Sequence, residues 1–234
     1  MTVDFAFFHV GEDFTLPKIL CESIRITNPN SNIIQLTDKR TPILSEFVTK
    51  FLRIDGNKDN LMFLRSKAYQ SYKVDKPTLF LDTDMLVIKE VNANDIFKNN
   101  DLVLCERAYQ LDEIMNEKYL ILGGLNSFVG KSAYEVFPIL GCFIGVKNNT
   151  HLLKLSHSIY SDYSSILRKW NGDQLALKEI YQNNKDKIDL ISENKIAYPI
   201  RRDEEFQNAL IIHFKGNLKI MMKPYFDKIF NNGK

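Results

Sequence analysis

The sequence predicts an α/β fold with a mainly parallel central sheet flanked by helices. Two observations lead to this prediction. Apolar runs of strand length alternate with longer segments whose apolar residues recur at helical spacing. One short run, Thr78–Leu81, is continuously apolar, which is typical of a strand buried on both faces of a parallel sheet. Repeated alternation of strand and helix is the pattern of α/β layer folds.

The predicted elements are bounded by residues that break regular structure. Gly11 ends the first strand, Asn28-Pro29-Asn30 stops the first helix, and Pro77 precedes the apolar strand. Residues 42–58 are ambiguous, and we interpret them as a helix followed by a strand. The predicted strands lie at residues 3–10, 32–37, 78–81, 101–105, 142–146, 188–191, 196–198 and 210–214. The predicted helices lie at residues 16–26, 60–73, 151–170 and 173–182.

Composition and charge exclude several classes of protein. The chain has 234 residues, of which 44% are hydrophobic and 26% charged, so it is neither wholly disordered nor fibrous. This length is enough to bury a large core, and we expect a single domain spanning residues 1–234. The chain has 31 Lys and Arg against 29 Asp and Glu, a net charge of +2. That balance lacks the basic excess of a nucleic-acid-binding protein.

The cysteines and the apolar stretches indicate the compartment. Cys21, Cys105 and Cys142 are too few and too scattered for a disulfide framework or a zinc site. The first residues lack the basic and apolar regions of a secretory signal. No apolar stretch approaches the ~20 residues of a membrane span. We therefore expect a cytoplasmic protein without a transmembrane segment, which is compatible with peripheral association with the inner membrane surface.

Residues 106–141 have the weakest pattern in the chain and contain Gly123-Gly124 and Gly130. A weakly patterned stretch of this length in a compact domain is typical of a functional excursion. A plain surface insertion is an equally open interpretation.

Two carboxylates follow the apolar strand, at Asp82 and Asp84. In extended chain, positions i and i+2 place both side chains on the same face. The carboxyl end of a central strand is where ligands bind in open α/β sheets. Two close like charges repel unless a cation or proton lies between them, and oxygen ligands suit Mg²⁺ or Mn²⁺. The alternative is a solvated turn that happens to hold two aspartates.

A histidine closes a late apolar strand at His213, and Lys215, Gly216 and Lys219 follow it. Its imidazole could join the two carboxylates on a cation. Gly216 would let the backbone approach phosphate oxygens, and the lysines would neutralise their charge. Taken alone, a histidine on an apolar strand is more often a residue of the core or its rim.

Two further groups are candidates. Asp173 and Gln174 lie at a helix start, where Asp173 could be the N-cap or the pair could hydrogen-bond sugar hydroxyls. Arg65 and Lys67 lie on the helix before the carboxylate strand, and Arg65 could reach the site from the end of its side chain. Basic residues on a helix more often form a solvated face.

In this order along the chain, the motifs resemble nucleotide-sugar-dependent glycosyltransferases of the GT-A fold. They are an arginine-bearing helix, LFLDTDMLV, a Gly-Val strand, Asp-Gln at a helix start, and His-x-x-Gly-x-x-Lys. The sequence looks most similar to glycosyltransferase family 8, and the resemblance covers residues 3–225 in short islands. It implies a Rossmann-like sheet with a nucleotide-sugar-binding half at residues 1–105. Residues 106–234 would be an acceptor-binding half that ends in a metal and phosphate segment.

The resemblance also implies the roles of individual residues. The metal, Mn²⁺ or Mg²⁺, would be bound by Asp82, Asp84 and His213. The catalytic residues would be Arg65, Asp173 and Gln174. The donor would be bound by Phe8, His9, Val10, Gly11, Asp38, Lys67, Asp82, Thr83, Gly216 and Lys219.

The implied reaction moves a sugar from a nucleoside diphosphate sugar, UDP-sugar by preference, to a hydroxyl acceptor such as a surface glycan. The family favours retention at the transferred carbon, and Asp173 is the candidate base if the enzyme inverts. Two departures from the family pattern stand out. The family's Phe-Asn-Ala/Ser-Gly-Val is Cys142-Phe143-Ile144-Gly145-Val146 here, so Phe143 replaces a polar residue that normally faces donor or acceptor. The family's Lys-Pro-Trp ending is split between Lys219 and Lys223-Pro224-Tyr225.

Three other functions fit parts of the pattern. A haloacid-dehalogenase-type phosphatase also has Asp-x-Asp after an apolar strand, with the first Asp as nucleophile. There the motif usually opens the chain, and Thr or Val stands where this sequence has Leu86. A sugar nucleotidyltransferase would need a glycine-rich loop after the first strand, which HVGED is not. A non-catalytic domain that binds a nucleotide or a partner is the third alternative.

Overall fold

The computed structural model describes residues 1–56, 60–115, 128–148, 151–165, 167–168, 171–199 and 208–231. Its strands are β1 (Asp4–Phe8), β2 (Ile33–Asp38), β3 (Lys50–Ile54), β4 (Thr78–Leu81), β5 (Met85–Val87), β6 (Leu102–Glu106), β7 (Ile139–Val146), β8 (Ile188–Ser192), β9 (Tyr198–Pro199) and β10 (Ile211–His213). Its α-helices are α1 (Thr15–Thr27), α2 (Leu61–Ser71), α3 (Ala93–Ile96), α4 (Ala133–Val136), α5 (His151–Asp162), α6 (Gly172–Asn183), α7 (Glu193–Ile196) and α8 (Met222–Phe230). Two 3₁₀ segments lie at Lys185–Lys187 and Gly216–Met221.

Seven strands form the central sheet in the order β3-β2-β1-β4-β7-β6-β8. Neighbours pair in parallel except on the two sides of β7, which runs against both β4 and β6. The four residues of β4 are buried, as its continuous apolar run predicts. The prediction of a mainly parallel sheet in an α/β fold is therefore confirmed.

A second, three-stranded sheet has the order β5-β10-β9. Strand β10 pairs antiparallel with β5, and this register sets His213 opposite Met85, the residue after Asp84. The small sheet therefore brings a strand from near the end of the chain to the carboxyl end of β4.

Helices cover both faces of the central sheet. On one face, α1 and α8 bury Ile19, Leu20, Met222 and Phe226 in a core shared with alternate residues of β1, β4 and β7. On the other face, α2, α5 and α6 bury a second apolar set, Leu64, Ala68, Leu153, Leu177 and Ile180. The helical spacing of these residues is what identified α1, α2 and α6 in the sequence.

The structure corrects three predicted elements and adds a helix near residue 225. In the ambiguous segment, residues 45–47 form a turn and β3 follows. The strand predicted at 196–198 begins two residues later, as β9, because Glu193–Ile196 is a short helix that leads into it. The long helix predicted from residue 151 ends at Asp162. Helix α8 was not among the predicted helices. Its Pro224 lies in the first turn, where a missing N–H costs no helical hydrogen bond.

The irregular stretch at 106–141 contributes α4 and parts of β6 and β7. Its Gly123-Gly124 pair lies outside the described residues. In the described part of the chain, no helix has the length and apolar character needed to cross a bilayer.

Asp189 in β8 fixes the turn that leads into β6. Its Oδ2 accepts the backbone N–H groups of Lys98, Asn99 and Asn100 at 3.0, 2.9 and 3.1 Å. Burial opposes ionisation, but these donors hold the pKa of Asp189 below its usual value. Asp189 therefore contributes stability when it is ionised.

We expect Asp189→Ala to lower the free energy of unfolding at pH 7 by about 1 kcal/mol, as for loss of a helix cap. Because the folded-state pKa is depressed, this stabilisation is present above the unfolded-state pKa and is lost as pH falls through the folded-state value. Urea denaturation at pH 7 and near pH 3 measures it. Asp186→Ala, an exposed acid on the adjacent 3₁₀ segment, is the control. A difference between wild type and Asp189→Ala that is unchanged in acid would contradict the assignment.

Candidate functional site

The two acids lie at the carboxyl end of β4, in the turn before β5. The Asp82 N–H donates to the Cys142 carbonyl at 3.1 Å, which continues the β4–β7 ladder by one residue. Asp84 is buried, and its carbonyl accepts the Phe214 N–H at 2.9 Å. Both acids are therefore held by backbone contacts to strands on either side, at the edge predicted from the sequence.

His213 joins the acids because of the β5–β10 register. Its Nε2 lies 3.3 Å from Asp84 Oδ1. One ligand atom from each of Asp82, Asp84 and His213 lies within 4.8 Å of the others. Burial alone lowers the pKa of His213, but contacts with Cys142 and Asp84 raise it to about 10. The three predicted metal ligands converge on one point.

Lys219 reaches the same cluster from the 3₁₀ segment. Its Nζ lies 2.9 Å from Asp84 Oδ2. Burial raises the pKa of Asp84, but hydrogen bonds from His213 and Lys219 lower it to about 2. Asp84 is therefore a carboxylate over the whole neutral range.

Gly216 begins the 3₁₀ segment that carries Lys219. Its φ is +56°, a conformation that favours glycine.

Arg65 links the acid pair to α6. Its NH1 donates to Asp82 Oδ1 at 2.5 Å, and its NH2 donates to Asp173 Oδ2. The Arg65 side chain is only 11% exposed, so both charge-assisted bonds are made away from bulk water. Burial raises the pKa of Asp82 to about 6, Arg65 opposes that rise, and Asp84 adds to it.

Helix α6 corrects the N-cap interpretation of Asp173. The helix begins at Gly172, so its N-cap is Asn171 and Asp173 lies in the first turn, where its carboxylate faces Arg65. Gln174 Nε2 donates to Asn171 Oδ1 at 3.0 Å. Asp173 is therefore held by Arg65 and Gln174 by Asn171, and N-cap preferences predict neither contact.

Sequence reasoning missed Gly141, which lies against this network. A Cβ at Gly141 would stand 3.0 Å from Asp173 Oδ2 and 3.1 Å from Arg65 NH2. The pairing of β7 with β6 is irregular here, since β7 advances from Ile144 to Leu140 while β6 advances by one residue. A glycine inside a strand pattern was the available signal for a bulge or a close approach.

Phe143 lies in the core and not beside this network. Its side chain is fully buried, and it packs with Cys142 in the core beneath α1 and α8. Gly141 is the β7 residue beside Arg65 and Asp173.

The residues after β1 and β2 meet at the same sheet edge. Thr37 Oγ1 donates to the His9 carbonyl at 2.7 Å, and the Gly11 N–H donates to Thr41 Oγ1 at 2.9 Å. Asp38 Oδ1 accepts the Thr41 N–H at 2.8 Å, which closes its own turn. Burial lowers the pKa of His9, so the ring is neutral at pH 7.

The other predicted donor-binding residues occupy different positions around this edge. Phe8 and Val10 are partly buried against the core beneath α2. Thr83 lies in the turn between the two acids. Lys67 Nζ donates to the Asp55 carbonyl at 2.7 Å, after the end of β3. Lys67 therefore lies on the β3 side, and no contact between it and the acids is observed among the described residues.

Glu193 is a fully buried carboxylate that the sequence did not single out. It accepts the backbone N–H groups of Ala108 and Tyr109 at 3.0 and 3.2 Å, and Lys215 Nζ contacts its other oxygen. Glu193 thus ties the chain after β6 to the loop that carries Gly216 and Lys219.

The donor set fits a divalent cation. Two carboxylates with one imidazole are ligands that Mn²⁺ accepts readily, and the carboxylates suit Mg²⁺. Asp84 and His213 are buried and face one another, so their ligand atoms are already positioned. The residues present are therefore able to hold such an ion, which on binding would replace the proton that the raised pKa leaves on His213.

Solved structures resemble this one over nearly the whole chain. A glycosyltransferase involved in the glycosylation of the major capsid of PBCV-1 has 10% sequence identity and a TM-score of 0.62, with coverage of 97% of this chain and 100% of that chain. The bifunctional glycosyltransferase WbbM has 13% identity and a TM-score of 0.62. That match covers 98% of this chain and 50% of WbbM, so the chain spans half of WbbM.

The galactosyltransferase LgtC, solved with donor and acceptor sugar analogues, has 13% identity and a TM-score of 0.58, with coverage of 98% of this chain and 96% of that chain. No protein-family model and no curated protein matches the sequence. Similarity at this level of identity establishes the fold. The chain has the GT-A fold that these glycosyltransferases share.

Proposed function

We propose that this protein is a glycosyltransferase that moves a sugar from a nucleoside diphosphate sugar, UDP-sugar by preference, to a hydroxyl acceptor. The observation that carries the proposal is the convergence of Asp82, Asp84 and His213 within 4.8 Å at the carboxyl edge of the sheet. These residues would hold Mn²⁺ or Mg²⁺. A divalent cation bound there supplies Lewis-acid stabilisation of the charge that develops on the leaving diphosphate.

The reaction breaks the bond between the sugar carbon and the diphosphate oxygen, and it forms a bond from that carbon to the acceptor oxygen. The acceptor hydroxyl gives up its proton as the new bond forms, and the proton leaves with the nucleoside diphosphate. Lys219 contacts Asp84, and together with N–H groups that follow Gly216 it would stabilise the diphosphate as its charge develops. The residues after β1, with Asp38, would bind the nucleoside at the neighbouring strand ends.

Arg65, Asp173 and Gln174 would position the sugar. The Arg65 guanidinium holds Asp82 and Asp173 in one arrangement, so the carboxylates are oriented before substrate binds. Because Arg65 engages Asp173, that carboxylate is better placed to orient a hydroxyl than to accept its proton. This favours retention at the transferred carbon over inversion.

The phosphatase alternative makes a different chemical prediction. A nucleophilic Asp82 would form an acyl-phosphate during turnover, which a glycosyltransferase would not. A non-catalytic domain with this fold would bind a nucleoside diphosphate without turnover. Release of nucleoside diphosphate from a panel of nucleotide sugars with Mn²⁺ distinguishes that alternative from an enzyme.

We expect UDP or GDP with Mn²⁺ to raise the melting temperature of the wild-type protein, because ligands that bind only the native state stabilise it. At about 100 times the dissociation constant, the gain is about 2.7 kcal/mol, or several degrees. Asp84→Asn removes a ligand that is ionised at neutral pH and should abolish the metal-dependent part of the shift.

Asp227→Asn is the matched control, since it removes an exposed carboxylate on α8 that pairs with Lys223. Its shift should equal that of wild type. An undiminished shift in Asp84→Asn, or none in wild type with any nucleoside diphosphate, would count against the proposal.

Two glycines of β7 offer a test of the Arg65–Asp173 network. A Cβ at Gly141 would crowd Asp173 and Arg65, whereas one at Gly145 would meet Ile96 and Phe97 at 3.3 Å, away from the site. We expect Gly141→Ala to lower kcat/KM for nucleotide-sugar turnover about tenfold or more, because small displacements of positioning groups are costly. Gly145→Ala should lower the melting temperature and leave kcat/KM near the wild-type value. Equal losses of activity in both variants would show that Gly141 acts through packing alone.

A further inference from the structure

Three apolar side chains of the 3₁₀ segment Gly216–Met221 are exposed to solvent. Leu218, Ile220 and Met221 are 39%, 80% and 38% exposed. In the described part of the chain, Ile220 is the most exposed of the large apolar side chains. Grouped apolar side chains on a surface mark sites of interaction, whereas scattered ones are ordinary.

This exposure is imposed by buried residues on both sides of the segment. Phe214 and Met222 are fully buried, and Phe226 one turn later packs in the same core. The Leu218 N–H donates to the Lys215 carbonyl at 3.1 Å, which closes the first 3₁₀ turn. The chain is thus anchored before and after Ile220, and the apolar side chains are held outward.

Cations surround these side chains. Residues 215–228 contain four lysines and one acid, Asp227, so their charge is 4 − 1 = +3, against +2 for the whole chain. The side chains of Lys219 and Lys223 are 46% and 57% exposed. Exposed aliphatic side chains beside basic ones are complementary to a surface whose interior is apolar and whose outer layer carries negative charge.

We propose that Leu218, Ile220, Met221 and Lys223 form a docking surface for an anionic lipid bilayer. The aliphatic side chains would enter the boundary between headgroups and acyl chains, and Lys223 would contact anionic headgroups. Stable binding to a bilayer requires two such signals, since one alone gives only marginal affinity. The proposal does not depend on the transferase reaction, because it requires neither donor nor metal.

The docking surface adjoins the acid cluster. Lys219, which contacts Asp84, immediately precedes Ile220. A bilayer bound at Ile220 would therefore lie near the opening of the candidate site. An acceptor hydroxyl carried by a membrane lipid would then be within reach, and this last step rests on the proposed function.

Sedimentation with vesicles tests the docking surface. We expect the wild-type protein to bind vesicles of equal parts phosphatidylcholine and phosphatidylglycerol at low salt, and to bind phosphatidylcholine alone much more weakly. Ile220→Asp should weaken binding at least about tenfold, through loss of apolar insertion. Lys223→Glu should weaken it by about fivefold or more, and added salt should act in the same direction. Phe51→Asp on β3, where Phe51 is 58% exposed, is the matched control and should bind as wild type does.

The outcomes separate this proposal from the transferase function. Ile220→Asp should retain the thermal shift with Mn²⁺ and nucleoside diphosphate while losing vesicle binding. Wild type that stays in the supernatant with anionic vesicles would overturn the proposal. Vesicle binding by Ile220→Asp that equals wild-type binding would also overturn the proposal, because the attraction would then be purely ionic. Self-association of wild type that Ile220→Asp abolishes, without vesicle binding, would instead assign the surface to a second copy of the chain.

Discussion

The site depends on the balance of charge among three crowded carboxylates. Asp82, Asp84 and Asp173 lie at one sheet edge with little exposure to water, where like charges repel strongly. Arg65 spans two of them, and Lys219 contacts the third. Losing one partner would leave a buried charge without compensation, which is far more costly than losing a surface pair. The positions of the three carboxylates therefore depend on their ion pairs with Arg65 and Lys219.

This balance divides the acids by behaviour. Asp84, with its two hydrogen-bonding partners, has a pKa of about 2, whereas burial raises that of Asp82 to about 6. Asp82 and Asp84, two aspartates one residue apart, therefore differ in their affinity for a proton. The more acidic carboxylate is the one that faces His213, so the proposed metal ligands are ordered by environment and not by residue type.

Local patterns predicted much of this, because strand and helix periodicities are local properties. The acid pair and His213 were identified from their positions at the ends of apolar strands. Gly141 and Glu193 were not, since each acts through a partner far away in sequence, and the bulge in β7 depends on its pairing with β6. The burial of Phe143 also depends on strand pairing, because an irregular register changes which face a residue occupies and the sequence of one strand does not reveal it.

The pairing of β5 with β10 has a consequence for biosynthesis. The proposed metal ligands come from residues 82, 84 and 213, so the ribosome synthesises both acids well before the imidazole. A nascent chain that stops before β10 carries the acids without the histidine or Lys219. Chelation by the complete ligand set therefore cannot begin before β10 has been synthesised.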